Sequence, residues 1–360
     1  MRFRPIAGYA SIAACATTAA AALLLAACGG GAGGGAPDDG PPDDLGAWGL
    51  FADAPAQIPA ADVIPYEVIA PLYSDYTAKR RFFRLPPGGR IGWRERGPWR
   101  FPVGTVVVKT FSMPRDLRDP AAGERLLETR LLVREADGWV PHVYVWDDAR
   151  TAARRRVAGA RLPVEWIHHD GTRRTSTWRV PNTNQCRECH GRARTEVLGL
   201  HTAQLARLHD YGAGPVDPID HFRDLGLFEE APPAGPRPAF PDPFGDGPLA
   251  DRARAYLDAN CAHCHRAAGA ASETGLRLGA EVEDPIELGI CRPPFSAGAG
   301  TGGLHFDVVP GDPAASILVR RMRSTDPEVR MPELGSSVPH EEGIALVSAW
   351  IAAMDPPGCD

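Results

Sequence analysis

Cys186-Arg187-Glu188-Cys189-His190 and Cys261-Ala262-His263-Cys264-His265 repeat one pattern, C-x-x-C-H, in a chain of 360 residues. The spacing has a chemical reason. Two thiols three positions apart can add to the two vinyl groups on one edge of a porphyrin, and the next residue turns an imidazole onto the iron. With 8 cysteines and 11 histidines in the chain, about 0.005 copies are expected by chance. The pattern therefore predicts two covalently bound haem c groups, with Cys186, Cys189, Cys261 and Cys264 as attachment points and His190 and His265 as iron ligands. Other readings fit less well. A zinc ribbon needs its two C-x-x-C units roughly 15–20 residues apart, and Cys189 to Cys261 is far longer. A redox C-x-x-C does not call for a following His. Two separate zinc sites would each need further Cys or His nearby.

The sequence around the second copy is helical. Leu249, Ala253, Tyr256 and Leu257 make an apolar stripe that runs into Cys261. Asp312-Pro313 suits a helix start, with Ile317, Leu318 and Met322 after it. Residues 341–354 carry Ile344, Val347, Ile351 and Met354 on one face with Trp350 beside it, and Pro356-Pro357 stops the helix. An all-α domain over residues 248–357 is the expectation, preceded by a Pro/Gly-rich linker over 232–247.

Upstream, residues 46–231 read as a β-rich domain ending in the first copy of the motif and a helical stretch. Residues 90–93, 105–111, 126–134, 140–146 and 178–180 are short β-branched or aromatic runs. Pro86-Pro87-Gly88-Gly89, Asp119-Pro120 and Asp137-Gly138 punctuate them. The strand at 140–146 is apolar on both faces, which suits a sandwich. Trp93, Trp99, Trp139, Trp146 and Trp166 are expected in the core. Residues 198–211 and 215–228 follow a helical period. The fold class predicted is thus α+β multidomain, a sandwich-like half followed by an all-α half. No tandem repeat surrounds the two motifs.

The N-terminus reads as an export signal over residues 1–27. Arg2 and Arg4 precede an uncharged, Ala-rich run that ends in Leu25-Ala26-Ala27-Cys28-Gly29, a pattern that resembles a bacterial lipobox. A membrane-spanning anchor is the rival, since the run is long enough to span. Lipid on the Cys28 thiol is the expectation. With Gly29 rather than Asp after it, the expected address is the periplasmic side of the outer membrane of a Gram-negative cell. Residues 28–45 form a Gly/Ala/Pro/Asp tether. The net charge of −6 argues against nucleic acid and suits a basic redox partner. Lys79 and Lys109 are the only lysines among many arginines. Setting aside Cys15 in the signal, Cys28 and the four motif cysteines, Cys291 and Cys359 remain. In an oxidising compartment they either pair or stay thiols, according to the Cα separation.

Two resemblances extend this reading. The segment from the second motif through Arg330-Met331-Pro332 to the helix bearing Trp350 resembles class I cytochrome c domains, which implies Met331 as second axial ligand of that iron. A thioether ligand raises the potential. Over residues 48–357 the chain resembles poorly characterised dihaem c-type cytochromes of Gram-negative bacteria, often lipoproteins. The stretches that carry this are Pro71-Leu72-Tyr73-Ser74-Asp75-Tyr76, Lys79-Arg80-Arg81-Phe82, Trp99-Arg100-Phe101-Pro102-Val103-Gly104-Thr105, Val108-Lys109-Thr110-Phe111, Val180-Pro181-Asn182-Thr183-Asn184-Gln185 and Leu249-Ala250-Asp251-Arg252-Ala253. Similar segments accompany quinoprotein sugar dehydrogenase modules, which implies an electron acceptor for a periplasmic dehydrogenase. That module is not in this sequence. The second ligand of the first iron stays open among Met113, His168, His169, His201, Lys109 and a vacant position. The function expected is electron transfer between periplasmic redox partners, without catalysis. A rival is a dihaem peroxidase-like enzyme with one open iron, for which Glu188 or the His168-His169 pair offers acid/base groups. Another is a sensing lipoprotein whose haem reports redox state or gas.

Overall fold

The computed structural model describes residues 40–190, 197–212 and 214–359. The signal, the Cys28 lipidation site and most of the tether lie outside the described residues. A short hairpin, β1 (Phe51–Asp53) with β2 (Ile58–Pro59), precedes the main sheet. That sheet is an antiparallel meander of β3 (Ile64–Tyr66), β4 (Ala78–Arg84), β5 (Val106–Pro114), β6 (Glu124–Glu135), β7 (Gly138–Trp146) and β8 (Ala153–Arg155), paired in chain order. A separate hairpin, β9 (Ala160–Ile167) with β10 (Arg173–Val180), follows.

Period-two alternation divides the meander into two faces. Phe82, Val106, Val108, Leu131, Val133, Tyr144 and Trp146 bury one face against Leu45, Trp48, Leu50 and Val63. The other face holds two cores. Phe83, Val107 and Trp139 pack with Val68, Ile91, Trp99, Ile219 and Phe222 at one end. Phe111, Met113 and Val143 pack with Val164, Trp166, Trp178 and Cys186 at the other. Four of the five tryptophans expected in the core are buried, and Trp93 packs against it partly exposed.

After β10 come α1 (Thr183–His190), the single turn α2 (Thr202–Leu205), the small ladder of β11 (His209–Asp210) and β12 (Pro215–Val216), and α3 (Pro218–Asp224). The C-terminal third carries α4 (Leu249–Leu257), α5 (Ile317–Arg323) and α6 (Glu341–Ala352), which share a core of Ala253, Leu257, Val319, Met322, Val347 and Ile351.

This corrects the expected fold class. The chain is β-rich around one six-stranded sheet, and the β half is not two matched sheets: the second layer is a single hairpin. Nor is an all-α cytochrome c domain present. The helices after residue 248 have 9, 7 and 12 residues, and between α4 and α5 the described chain is turns, short 3-10 and π segments and two isolated parallel bridges, Ile290↔Val308 and Phe306↔Ser316. Gly and Pro are dense between residues 269 and 313, and each opposes a continuing helix. The helix expected over 198–211 is reduced to the single turn Thr202–Leu205, after which the chain enters the β11 ladder. Asp312 caps only a local turn, accepting from the amides of Ala314 and Ala315, and α5 starts later, at Ile317.

Candidate functional site

The first motif ends α1. A reciprocal capping box starts this helix: Asn182 Oδ1 accepts from the Gln185 amide at 2.9 Å, and Gln185 Oε1 accepts from the Asn182 amide at 3.0 Å. With the helix phase fixed, Cys186, Cys189 and His190 lie at i, i+3 and i+4 and share one face. Cys186 is buried against the core of Phe111, Val143 and Trp178.

The second motif grows out of α4, whose last turn widens into a π-turn at Asp258–Ala262. Beyond it the amides of Cys264 and His265 both donate to the Cys261 carbonyl, at 3.1 and 2.9 Å. The turn is tied down on two sides. Asp258 Oδ2 accepts from the Ala280 amide, and Asn260 Oδ1 accepts from the Tyr73 amide at 2.7 Å.

Although 70 residues lie between His190 and Cys261, the fold sets the motifs side by side. The ligand atoms of Cys189, His263 and Cys264 lie within 4.8 Å of one another, and Cys264 Sγ lies 4.0 Å from the Glu188 carbonyl oxygen. As free thiols these groups are strongly differentiated. The hydrogen bond from Cys264, then that from His263, holds Cys189 far below the ordinary thiol range, and the same contact pushes Cys264 up. Burial pushes Cys186 up to about 11 and Cys261 to about 12. Burial also lowers His265 to about 4, helped by His263 and by Arg321 and Arg277. The Nδ1 atoms of His265 and His263 are buried without a hydrogen-bond partner.

Met331 is half-buried on a loop beside this turn. Its amide donates to the Arg321 carbonyl at 3.0 Å, Arg321 acts electrostatically on His265, and Glu333 acts on Cys264. The open candidates for the first motif separate. Met113 is buried in the same core as Cys186, and Lys109 is close enough for its charge to couple to Cys189. His168 and His169 face α6 instead, with Nε2 atoms 3.7 and 3.8 Å from Glu341 and Glu342. His201 sits edge-on to Phe240, and burial lowers it to about 4.

Cys291 and Cys359 form a disulfide, Cα atoms 5.2 Å apart, while the four motif cysteines stay free. His263, an intervening residue of the second motif, was given no role by the sequence reading. Its proximity to Cys189 is tertiary and leaves no trace in spacing. No family model, curated protein or solved structure matches the chain.

Proposed function

We propose that the chain is an exported dihaem electron carrier. Porphyrins join at Cys186/Cys189 and Cys261/Cys264, with His190 and His265 on the irons and Met331 as the second ligand at the second group. One observation carries this reading: two C-x-x-C-H motifs whose four cysteines take no part in the Cys291–Cys359 disulfide. The residues fit such a group. In the first motif the two sulfurs and the imidazole share a helix face, and in the second the Cys264 and His265 amides both turn back to the Cys261 carbonyl, which keeps the motif in one turn.

Bound iron porphyrin supplies a reversible one-electron couple. The chain's own contribution is positional. The Asn182–Gln185 box fixes the first motif, Asn260 and Asp258 fix the second, and the Arg321 carbonyl holds the backbone at Met331. The partners in this reading are other cytochromes or a periplasmic dehydrogenase. The anchor is lipid on Cys28; among the described residues no helix is long and apolar enough to cross a membrane.

A second reading rests on the closeness of Cys189, His263 and Cys264, two thiolates and an imidazole that suit Zn²⁺. The readings exclude one another, because a sulfur in a thioether is no longer a thiolate. The test is the mass and pyridine haemochrome of denatured, acid-acetone-extracted mature protein, with metal analysis alongside. Two retained porphyrins, a lipidated Cys28 and no effect of His263→Ala on loading are expected. No porphyrin, with zinc lost in His263→Ala, overturns the proposal. High-spin ferric iron in half the sites with peroxide turnover would replace the carrier with a dihaem peroxidase.

A further inference from the structure

The two motifs meet at one corner and part from there. Cys186 is buried with Phe111, Met113, Val143 and Trp178 in the core between the main sheet and the β9–β10 hairpin. Cys261 packs against the separate core of α4, α5 and α6, with Ala253, Leu257 and Val347. The second cysteine of each motif turns toward the other motif. The sulfurs of Cys189 and Cys264 lie within 4.8 Å of each other, and Cys264 Sγ lies 4.0 Å from the Glu188 carbonyl oxygen. Each pair therefore keeps one sulfur in the core of its own half and one at the boundary between the halves.

That boundary is held from both sides. Asn260, the residue before Cys261, accepts from the Tyr73 amide at 2.7 Å and so ties the second motif to the β half. Asp75 makes a further tie across the halves, accepting four hydrogen bonds from residues 336–338. His263 occupies the space beside both sulfurs, its ligand nitrogen within the same 4.8 Å and its Nδ1 buried. The approach of Cys189 to Cys264 is thus set by contacts that lie outside either motif.

A thioether sulfur is bonded to the carbon that joins it to the porphyrin edge. Two such sulfurs this close link two conjugated rings at a corner. We propose that Cys189 and Cys264 are the junction between the two haems, and that an electron crosses from one to the other through their sulfurs within a single molecule. This rests on the haem reading above. The exchange balances without any further reagent: ferrous iron at one group becomes ferric as ferric iron at the other becomes ferrous, and no bond or proton changes place. Tunnelling falls off steeply with the gap, so a corner junction favours exchange inside the molecule over exchange with a diffusing partner. A partner that reaches either haem then loads or drains both, and one docking site serves the whole carrier.

The test is low-temperature EPR of the haem-loaded protein at controlled potential. Two ferric ions joined in this way act on each other's spins, an interaction that falls with the cube of their distance. In the fully oxidised protein the lines of both irons are expected to be broadened. Thioether ligation gives the second haem the higher potential, so a poise between the midpoints silences it. The remaining ferric signal, that of the first haem, is expected to sharpen. The oxidised spectrum is also expected to differ from the sum of the spectra of two single-haem proteins, Cys186→Ala with Cys189→Ala and Cys261→Ala with Cys264→Ala. A line shape that ignores the poise would overturn the proposal, and that measurement needs no variant to fold. Broadening that disappears on dilution would also overturn it, because the junction would then lie between molecules. Denatured protein without porphyrin would be a failure of the haem reading itself, visible before any spectrum is compared.

Discussion

Glu128 shows most directly how single residues hold this molecule together. It is fully buried on β6 and accepts two hydrogen bonds from Arg130, at 2.9 and 2.7 Å, and one from Trp178 Nε1 at 2.8 Å. Arg81, Lys109 and Arg130 lie directly opposite one another across β4, β5 and β6, and Glu128 is the one described carboxylate ion-paired to any of the three. Removing half of a buried ion pair leaves the other charge uncompensated. Glu128→Gln retains an oxygen for Trp178 but leaves Arg130 beside Lys109 and Lys79. Urea unfolding is expected to register a loss of about 3 kcal/mol. A loss below about 1 kcal/mol would mean that solvent already compensates Arg130. At this scale the sequence was legible where chemistry dictates spacing, as in the two cysteine motifs. It was silent where charge matters through register. Nothing in Lys79, Lys109 or Arg130 taken singly announces that three strands bring them around one phenyl ring, that of Phe111.

Elements were legible in proportion to how far local pattern agrees with burial. β5, β6 and β7 follow their alternating or β-branched runs, and α4 and α6 follow their apolar stripes. β4 escaped notice because Ala78-Lys79-Arg80-Arg81-Phe82-Phe83-Arg84 puts charge on both faces; its buried pair, Phe82 and Phe83, points to opposite cores. Residues 90–93, expected as a strand, make only the isolated bridges Ile91↔Phe228 and Gly92↔Arg100. α1 is short and lacks an apolar stripe, so its start depends on the cap. Asn182→Ala removes the Oδ1 half of the capping box, leaves the Gln185 half in place, and is expected to cost about 1 kcal/mol in urea. Asn182→Asp is expected to stay near wild type. Equal losses in the two variants would mean that the box does not fix this helix.

The whole molecule is held across its two halves by a seam that no periodicity reveals. Tyr73 stacks on His340 with centroids 4.0 Å apart, and Tyr76 Oη accepts from the Glu341 amide and donates to Glu342. Arg174 reaches Glu341 at 2.6 Å. At the centre Asp75 adopts a left-handed backbone (φ 47°), and its carboxylate accepts from Ser336 Oγ, the Ser337 amide, Ser337 Oγ and the Val338 amide at 2.7–3.0 Å. These acceptors lie on the β half and the donors follow Met331, so the loop beside the second motif is fixed by the domain of the first. Contacts from the β half thus help to order the C-terminal third, in place of the all-α domain expected there. Its helices are short, and part of what orders it comes from outside. Asp75→Asn preserves shape but replaces one anionic acceptor oxygen with a donor facing other donors. It is expected to cost about 3 kcal/mol, since several charge-assisted bonds weaken together. Hydrogen exchange should locate the loss, with amides of residues 331–338 losing protection while those of β5 and β6 keep theirs. Uniform loss across both regions would mean that the halves unfold as one unit and that Asp75 contributes only to global stability.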